Sequence, residues 1–239
     1  MSELNIEFAE ISLADIEAKA QKLIEDYEDH AGKRVRTRVP VESIAEHYLG
    51  YTIDITNEGL FSDPHYLGGI VFDENIIRVN ASVENHEGRY NFTIAHEIGH
   101  HMLHREQLLA SRDAETANIM CRENKAKPLV ERQADQFASA LLMPREQVSR
   151  AVEKLHIPTG EITAKALRVM ASQVIKSGGF TNVSNTAMAN RLITLGFARG
   201  VDFQTGRSID MLRSTDARGY SKTDRWLYKK IKTVFNFIR

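Results

Sequence analysis

The sequence predicts an α+β fold, mostly helical, with one small antiparallel sheet set ahead of a long helix. Three observations carry this. Apolar residues recur every three or four positions over most of the chain, as amphipathic helices require. Alternating β-branched residues mark Tyr51 to Ile55, and strand-like Gly68 to Phe72 and Ile76 to Asn80 follow. Gly50, Asp73-Glu-Asn75 and Pro144 mark boundaries between these segments.

The elements follow in chain order. Ser12-Leu-Ala-Asp15 reads as a helix start, and Leu13, Ile16, Ala20, Leu23, Ile24 and Tyr27 then share one face. The basic stretch Lys33 to Arg38 leads to Pro40 as an exposed linker. A short helix is expected from Val41 to Leu49, closed by Gly50, and a strand from Tyr51 to Ile55. Gly59 to His65 reads as a loop. Gly68 to Phe72 and Ile76 to Asn80 form a hairpin turning at Asp73-Glu-Asn75. One strand of that hairpin is expected to border a cleft and hold an extended peptide by backbone pairing, the alternative being a hairpin that only completes the core.

Bulk properties exclude several classes. The chain has 239 residues and a formal net charge of −1, which gives no global attraction to nucleic acid or membrane. Glu3, Glu7 and Glu10 stand where a signal peptide would be basic, and no apolar run reaches the roughly 20 residues of a membrane span. The single cysteine, Cys121, excludes an internal disulfide and fits a reducing compartment. A cytoplasmic location is the expectation.

The most informative segment is His96-Glu-Ile-Gly-His100. Ile94, Ile98 and Met102 place it inside an amphipathic helix free of proline. On that helix His100 lies only about 40° around from His96 and about 6 Å further along, so both rings can reach one ion. Glu97 is turned away from the pair, beside the ion rather than on it, where a carboxylate can act as a general base. A catalytic zinc site needs a third protein ligand. His101 points away, and His104 follows without the glycine that would turn the chain back; both read as flanking or substrate-side residues, or as capped or solvated histidines.

Glu131 is the better third candidate, 31 positions after His100. It begins a helix whose stripe is Ala134, Phe137, Ala138, Leu141 and Leu142 and which Pro144 ends. Asp135, one turn on, can accept the free ring N–H of a ligand histidine. Solvated charges flanking a core stripe remain the plain alternative. Asn118 to Lys127 reads as a loop, and its Cys121 is either a latency switch on the metal or a buried apolar side chain.

Phe92-Thr-Ile-Ala-His-Glu-Ile-Gly-His100 and Glu131-Arg-Gln-Ala-Asp-Gln-Phe-Ala-Ser-Ala-Leu-Leu-Met-Pro144 resemble the two signature stretches of the ImmA/IrrE family of bacterial and phage metallopeptidases. The resemblance runs from about Ile16 to Phe197. It implies a zincin-like metallopeptidase domain over residues 1–144, with zinc held by His96, His100 and Glu131 and Glu97 as catalytic base. Mn2+ or Fe2+ would also suit this ligand set. It further implies a protein substrate, a helix-turn-helix repressor of the Xre type encoded nearby, whose cleavage would derepress genes. Tyr66, Arg89, Tyr90 and His104 are the nearby polar residues from which an oxyanion stabiliser would be drawn.

Residues 145–200 read as a helical, helix-turn-helix-like region, with helices at Arg145 to Leu155, Glu161 to Lys176 and Ser184 to Leu195. Arg191 is the one cation on the would-be recognition helix, which favours packing or partner docking over DNA contact. Residues 201–239 form a basic amphipathic tail, with Arg225, Lys229, Lys230 and Lys232 interleaved with Trp226, Tyr228, Ile231 and Val234. It is too short to hold the sensor-like GAF domain that one family member carries. Two other readings stand beside the peptidase: a non-catalytic, metal-containing regulator that binds DNA, and a toxin-antitoxin partner that acts by binding a protein.

Overall fold

The computed structural model describes residues 8–110, 129–157 and 160–199, and these divide into two compact units, 1–144 and 145–239. The basic tail, Cys121 and the loop around it lie outside the described residues.

In the first unit, α1 spans Leu13–Ala31. Ser12 caps it by accepting from the Asp15 amide at 3.1 Å, and Gly32 ends it in the left-handed conformation at φ 62°. Its inward face, Ile16, Ala20, Leu23 and Ile24, is buried. Glu28 on the same helix is buried too, and is answered by Arg34 and the Val35 amide.

The helix expected from Val41 to Leu49 proves to be only a short α2, Val41–Ser43, running into a wider turn over Ile44–Tyr48. There the Leu49 amide reaches back five residues to the Ile44 carbonyl. Burial of both Ile44 and Ala45 on that turn accompanies the departure from regular helix.

The sheet has the order β1-β3-β2, with β1 Thr52–Thr56, β2 Gly68–Val71 and β3 Ile76–Asn80. The β2–β3 hairpin is antiparallel as the sequence predicts, turning at Asn75 with φ 52°. β1 joins β3 in parallel, so the sheet is mixed. The chain passes from β1 through the crossover at residues 57–67 to β2 and only then to β3, so no tight turn joins the parallel pair. Asn80 holds that crossover in place by donating to the carbonyls of Phe61 and Tyr66, each at 2.8 Å.

Two helices complete the unit: α3, Glu87–Ala110, and α4, Leu129–Leu142, which starts two residues before Glu131. They pack closely because α3 carries Gly99 at the contact. A Cβ there would lie 3.1 Å from both Cα and O of Ala134. Ile94, Ala95 and Ile98 of α3 meet the core with Ile70, Ile77 and Val79 of the sheet and Ala134, Phe137 and Leu141 of α4, all of them buried.

The second unit contains α5 Arg145–Leu155, β4 Gly160–Glu161, α6 Ala164–Gly178, α7 Asn185–Thr194 and β5 Ala198–Arg199. α6 starts later than the apolar pattern predicts because Thr163 caps it, accepting from the Ala166 amide at 3.3 Å. The two residues ahead of Ile162 instead form β4, which pairs in parallel with β5. Val148, Ala151, Leu167, Met170, Val174, Phe180, Met188 and Leu192 make the core of this unit. Gly179, at φ 76°, provides the break between α6 and α7.

Candidate metal centre

The three histidines of α3 at four-residue spacing, His96, His100 and His104, form a stripe facing α4, and all three are buried. α4 returns Glu131 to this stripe from its first turn. The Nε2 atoms of His96 and His100 stand 3.0 Å apart. Glu131 Oε1 lies 3.2 Å from His100 Nε2, and Glu131 Oε2 lies 3.3 Å from His96 Nε2.

These spacings can be tested against a metal. Donors at about 2.0–2.1 Å from a tetrahedral ion sit roughly 3.3 Å from one another, the separation found here. Glu131 Oε2 is buried, and what answers it is the approach of His96 Nε2 at 3.3 Å. Two imidazole nitrogens aimed at each other also repel unless a proton or a cation sits between them. His96, His100 and Glu131 are therefore a group that can hold a divalent ion, and two rings with one carboxylate leave a fourth position open.

The electrostatics favour a cation in the same place. Burial is the largest influence on His96 and lowers it, but hydrogen bonds with Asp135 and Glu131 and the charge of Glu97 together raise it to about 9. Burial pushes the Glu131 carboxyl up, and its bonds with His100 and His96 more than reverse this, holding it well below the usual carboxylate range. His100 moves the opposite way from His96, pushed down chiefly by its burial. Buried acids around two facing rings thus stabilise positive charge at this point.

The surrounding contacts orient the donors. Asp135 Oδ1 accepts from His96 Nδ1 at 3.0 Å, which leaves His96 Nε2 facing Glu131. Glu97, one residue on from His96, lies on the sheet side of α3. A Cβ added to Gly68 of β2 would come within 2.9 Å of Glu97 Oε1 and would overlap Thr93 Cγ2. Gly68 thus keeps room for the carboxylate, a constraint that no sequence pattern announces.

The expectation for His101 and His104 is corrected in part. His101 is capped, with Nδ1 2.8 Å from the Tyr51 hydroxyl, and burial with the nearby Arg105 charge lowers it to about 4. His104 is neither solvated nor on a substrate side. It is 1% exposed, with Nδ1 3.3 Å from His100 Nδ1 and Nε2 2.9 Å from Gln133 Oε1. The cause is tertiary: α4 covers the whole histidine stripe, so the third ring enters the seam between helices. Among the candidate oxyanion stabilisers, Tyr90 donates its hydroxyl to Glu42, and both nitrogens of His104 are engaged.

In the second unit Arg191, the one cation on α7, is 0% exposed. So buried, it is not available to a phosphate backbone.

A long helix with paired histidines, preceded by a small sheet and answered by an acid from the next helix, defines the α+β architecture of zincin-like peptidases. The chain belongs to the peptidase M78 family: the family model described as the IrrE N-terminal-like domain matches residues 51–175, just over half of its length. No curated protein matches the chain at a significant level.

Proposed function

We propose that this protein is a metal-dependent endopeptidase, with zinc held by His96, His100 and Glu131 and with Glu97 as the general base. The observation that carries it is the set of three buried donors spaced 3.0–3.3 Å apart beside Glu97 in a peptidase M78 chain. Two histidines and one glutamate are a donor set used by zinc peptidases, and Mn2+ or Fe2+ would also be accepted by it.

When bound, the divalent ion supplies Lewis-acid polarisation of the scissile carbonyl and makes water acidic enough to attack near neutral pH. Glu97 takes the proton of the attacking water on its carboxylate and hands it to the leaving amine nitrogen. Asp135 keeps the His96 Nδ1 proton in place, so that Nε2 would be free to hold the ion. The low exposure of Glu97 excludes bulk water from its carboxylate and strengthens these interactions.

The substrate is a polypeptide, and an Xre-type helix-turn-helix repressor encoded nearby is the one we favour from the family resemblance. An extended segment would lie along β2, the strand that touches Glu97 through Gly68. The residues of β2 are buried, so binding has to uncover that edge. Action in the cytoplasm accords with such a target, and no described helix is long and apolar enough to cross a membrane. The α6–α7 pair would serve packing or partner docking rather than DNA reading, since burial removes Arg191 from contact.

The test is direct. Zinc-loaded protein incubated with the product of an adjacent repressor gene should yield two fragments. Glu97→Gln should bind zinc as before and cut about 10²–10⁴-fold more slowly. Cleavage by Glu97→Gln at the wild-type rate would remove Glu97 from the role of base.

A further inference from the structure

The two ring nitrogens that face Glu131 are oriented by different means, and only one of these is the familiar carboxylate. Behind His96 stands Asp135, an anion. Behind His100 stands His104, then Gln133, then the backbone carbonyl of Ala9.

The direction of this hydrogen-bond chain can be derived from its far end. The Ala9 carbonyl can only accept, so the group 3.1 Å away must be the Gln133 amide nitrogen. Gln133 therefore turns its oxygen to His104, 2.9 Å from Nε2, and an oxygen there requires that Nε2 carry the proton. A neutral His104 protonated at Nε2 has a bare Nδ1. That Nδ1 accepts from His100 Nδ1 at 3.3 Å, which leaves His100 Nε2 with its lone pair facing Glu131. With His104 neutral, each step leaves the next with one choice.

We propose that Ala9, Gln133 and His104 form a neutral hydrogen-bond relay that sets the tautomer and ring plane of His100, making His104 a positioning residue for the metal site. The inference rests on His100 being a metal ligand. The relay is fully buried at His104 and nearly so at Gln133, and the Phe8 ring packs edge-on against His104 with centroids 5.6 Å apart. The segment before α1 thereby becomes part of the centre's support although it lies outside both signature stretches.

A neutral relay also has a chemical consequence. Asp135 makes His96 a more basic donor, whereas His104 orients His100 without adding another charge to a pocket that already holds three carboxylates. The two histidines are then unequal ligands, with His100 the one that depends on packing.

The experiment measures zinc affinity by chelator competition on the full chain, beside long-range ¹H–¹⁵N spectra of its histidine rings. His104→Phe fills the space and removes the acceptor; it should weaken zinc about 10–100-fold and leave the His100 Nδ1 proton exchanging with solvent. His104→Gln restores an acceptor oxygen and should recover most of the affinity and the protected proton. Gln133→Leu keeps the ring but frees its tautomer, so it should weaken zinc in the same direction even if His104→Phe does not fold. Undiminished zinc binding in Gln133→Leu, or equal loss in the Phe and Gln variants at position 104, overturns the relay. Wild-type protein that takes up no zinc, or that holds it equally well after Glu131→Ala, overturns the metal reading itself.

Discussion

Asp135 shows how a single atom contact sets the behaviour of a buried ring. Its Oδ1 receives the Nδ1 proton of a buried ring, so His96 keeps one tautomer while the other nitrogen faces Glu131. Asp135→Asn preserves size and can still occupy the position, but it loses the charge that raises the basicity of the ring. We expect zinc affinity to fall about 10–100-fold in this variant with little change in the circular dichroism spectrum, as chelator competition would show. Unchanged affinity would mean that His96 is held by packing alone. Motif spacing is enough to mark His96, Glu97, His100, Glu131 and Asp135 in the sequence. It does not mark His104 and Gln133 as site residues, because a histidine two turns beyond His96 reads the same whether it ends in water or under another helix.

Glycines decide how the elements meet. Gly99 lets α4 lie against α3 so closely that a Cβ would sit 3.1 Å from the Ala134 backbone and 3.3 Å from Phe137 Cβ. Gly99→Ala must push the helices apart and should cost about 1–3 kcal/mol, read as a lowered thermal midpoint. Because α4 carries Glu131, the same variant should also bind zinc more weakly. A variant as stable as wild type would show that the helices can separate without strain. Gly68→Ala acts on a different contact, crowding Thr93 and the Glu97 carboxylate and leaving Glu131 untouched. Cleavage should fall while zinc content stays at the wild-type level, measured on the same preparation. Periodicity locates both helices, but it carries no information on how near two helix axes come.

For the whole molecule, the first unit's stability should depend on a divalent ion bound at this group. Glu131 from α4 and two rings from α3 share one point, so a metal bound there ties these helices together. A ligand present at 100 times its dissociation constant adds about 2.7 kcal/mol to the folded state. Chelation should therefore lower the thermal midpoint and abolish cleavage together, and added zinc should restore both. A midpoint indifferent to chelator would detach the metal from the fold. Much of this is determined by the amino-acid order: the mostly helical α+β class, the hairpin ahead of the long helix, and the pair of signature stretches that mark the peptidase M78 family. Those features are local, since a helix repeats every 3.6 residues and a strand every two, and each can be read within a window of a dozen positions. The tertiary structure alone decided that β1 joins the sheet in parallel, that Arg191 is fully buried, and that His104 stands behind His100 rather than in solvent. Each of these depends on which surfaces close over one another, a property of residues distant in sequence that no local period encodes.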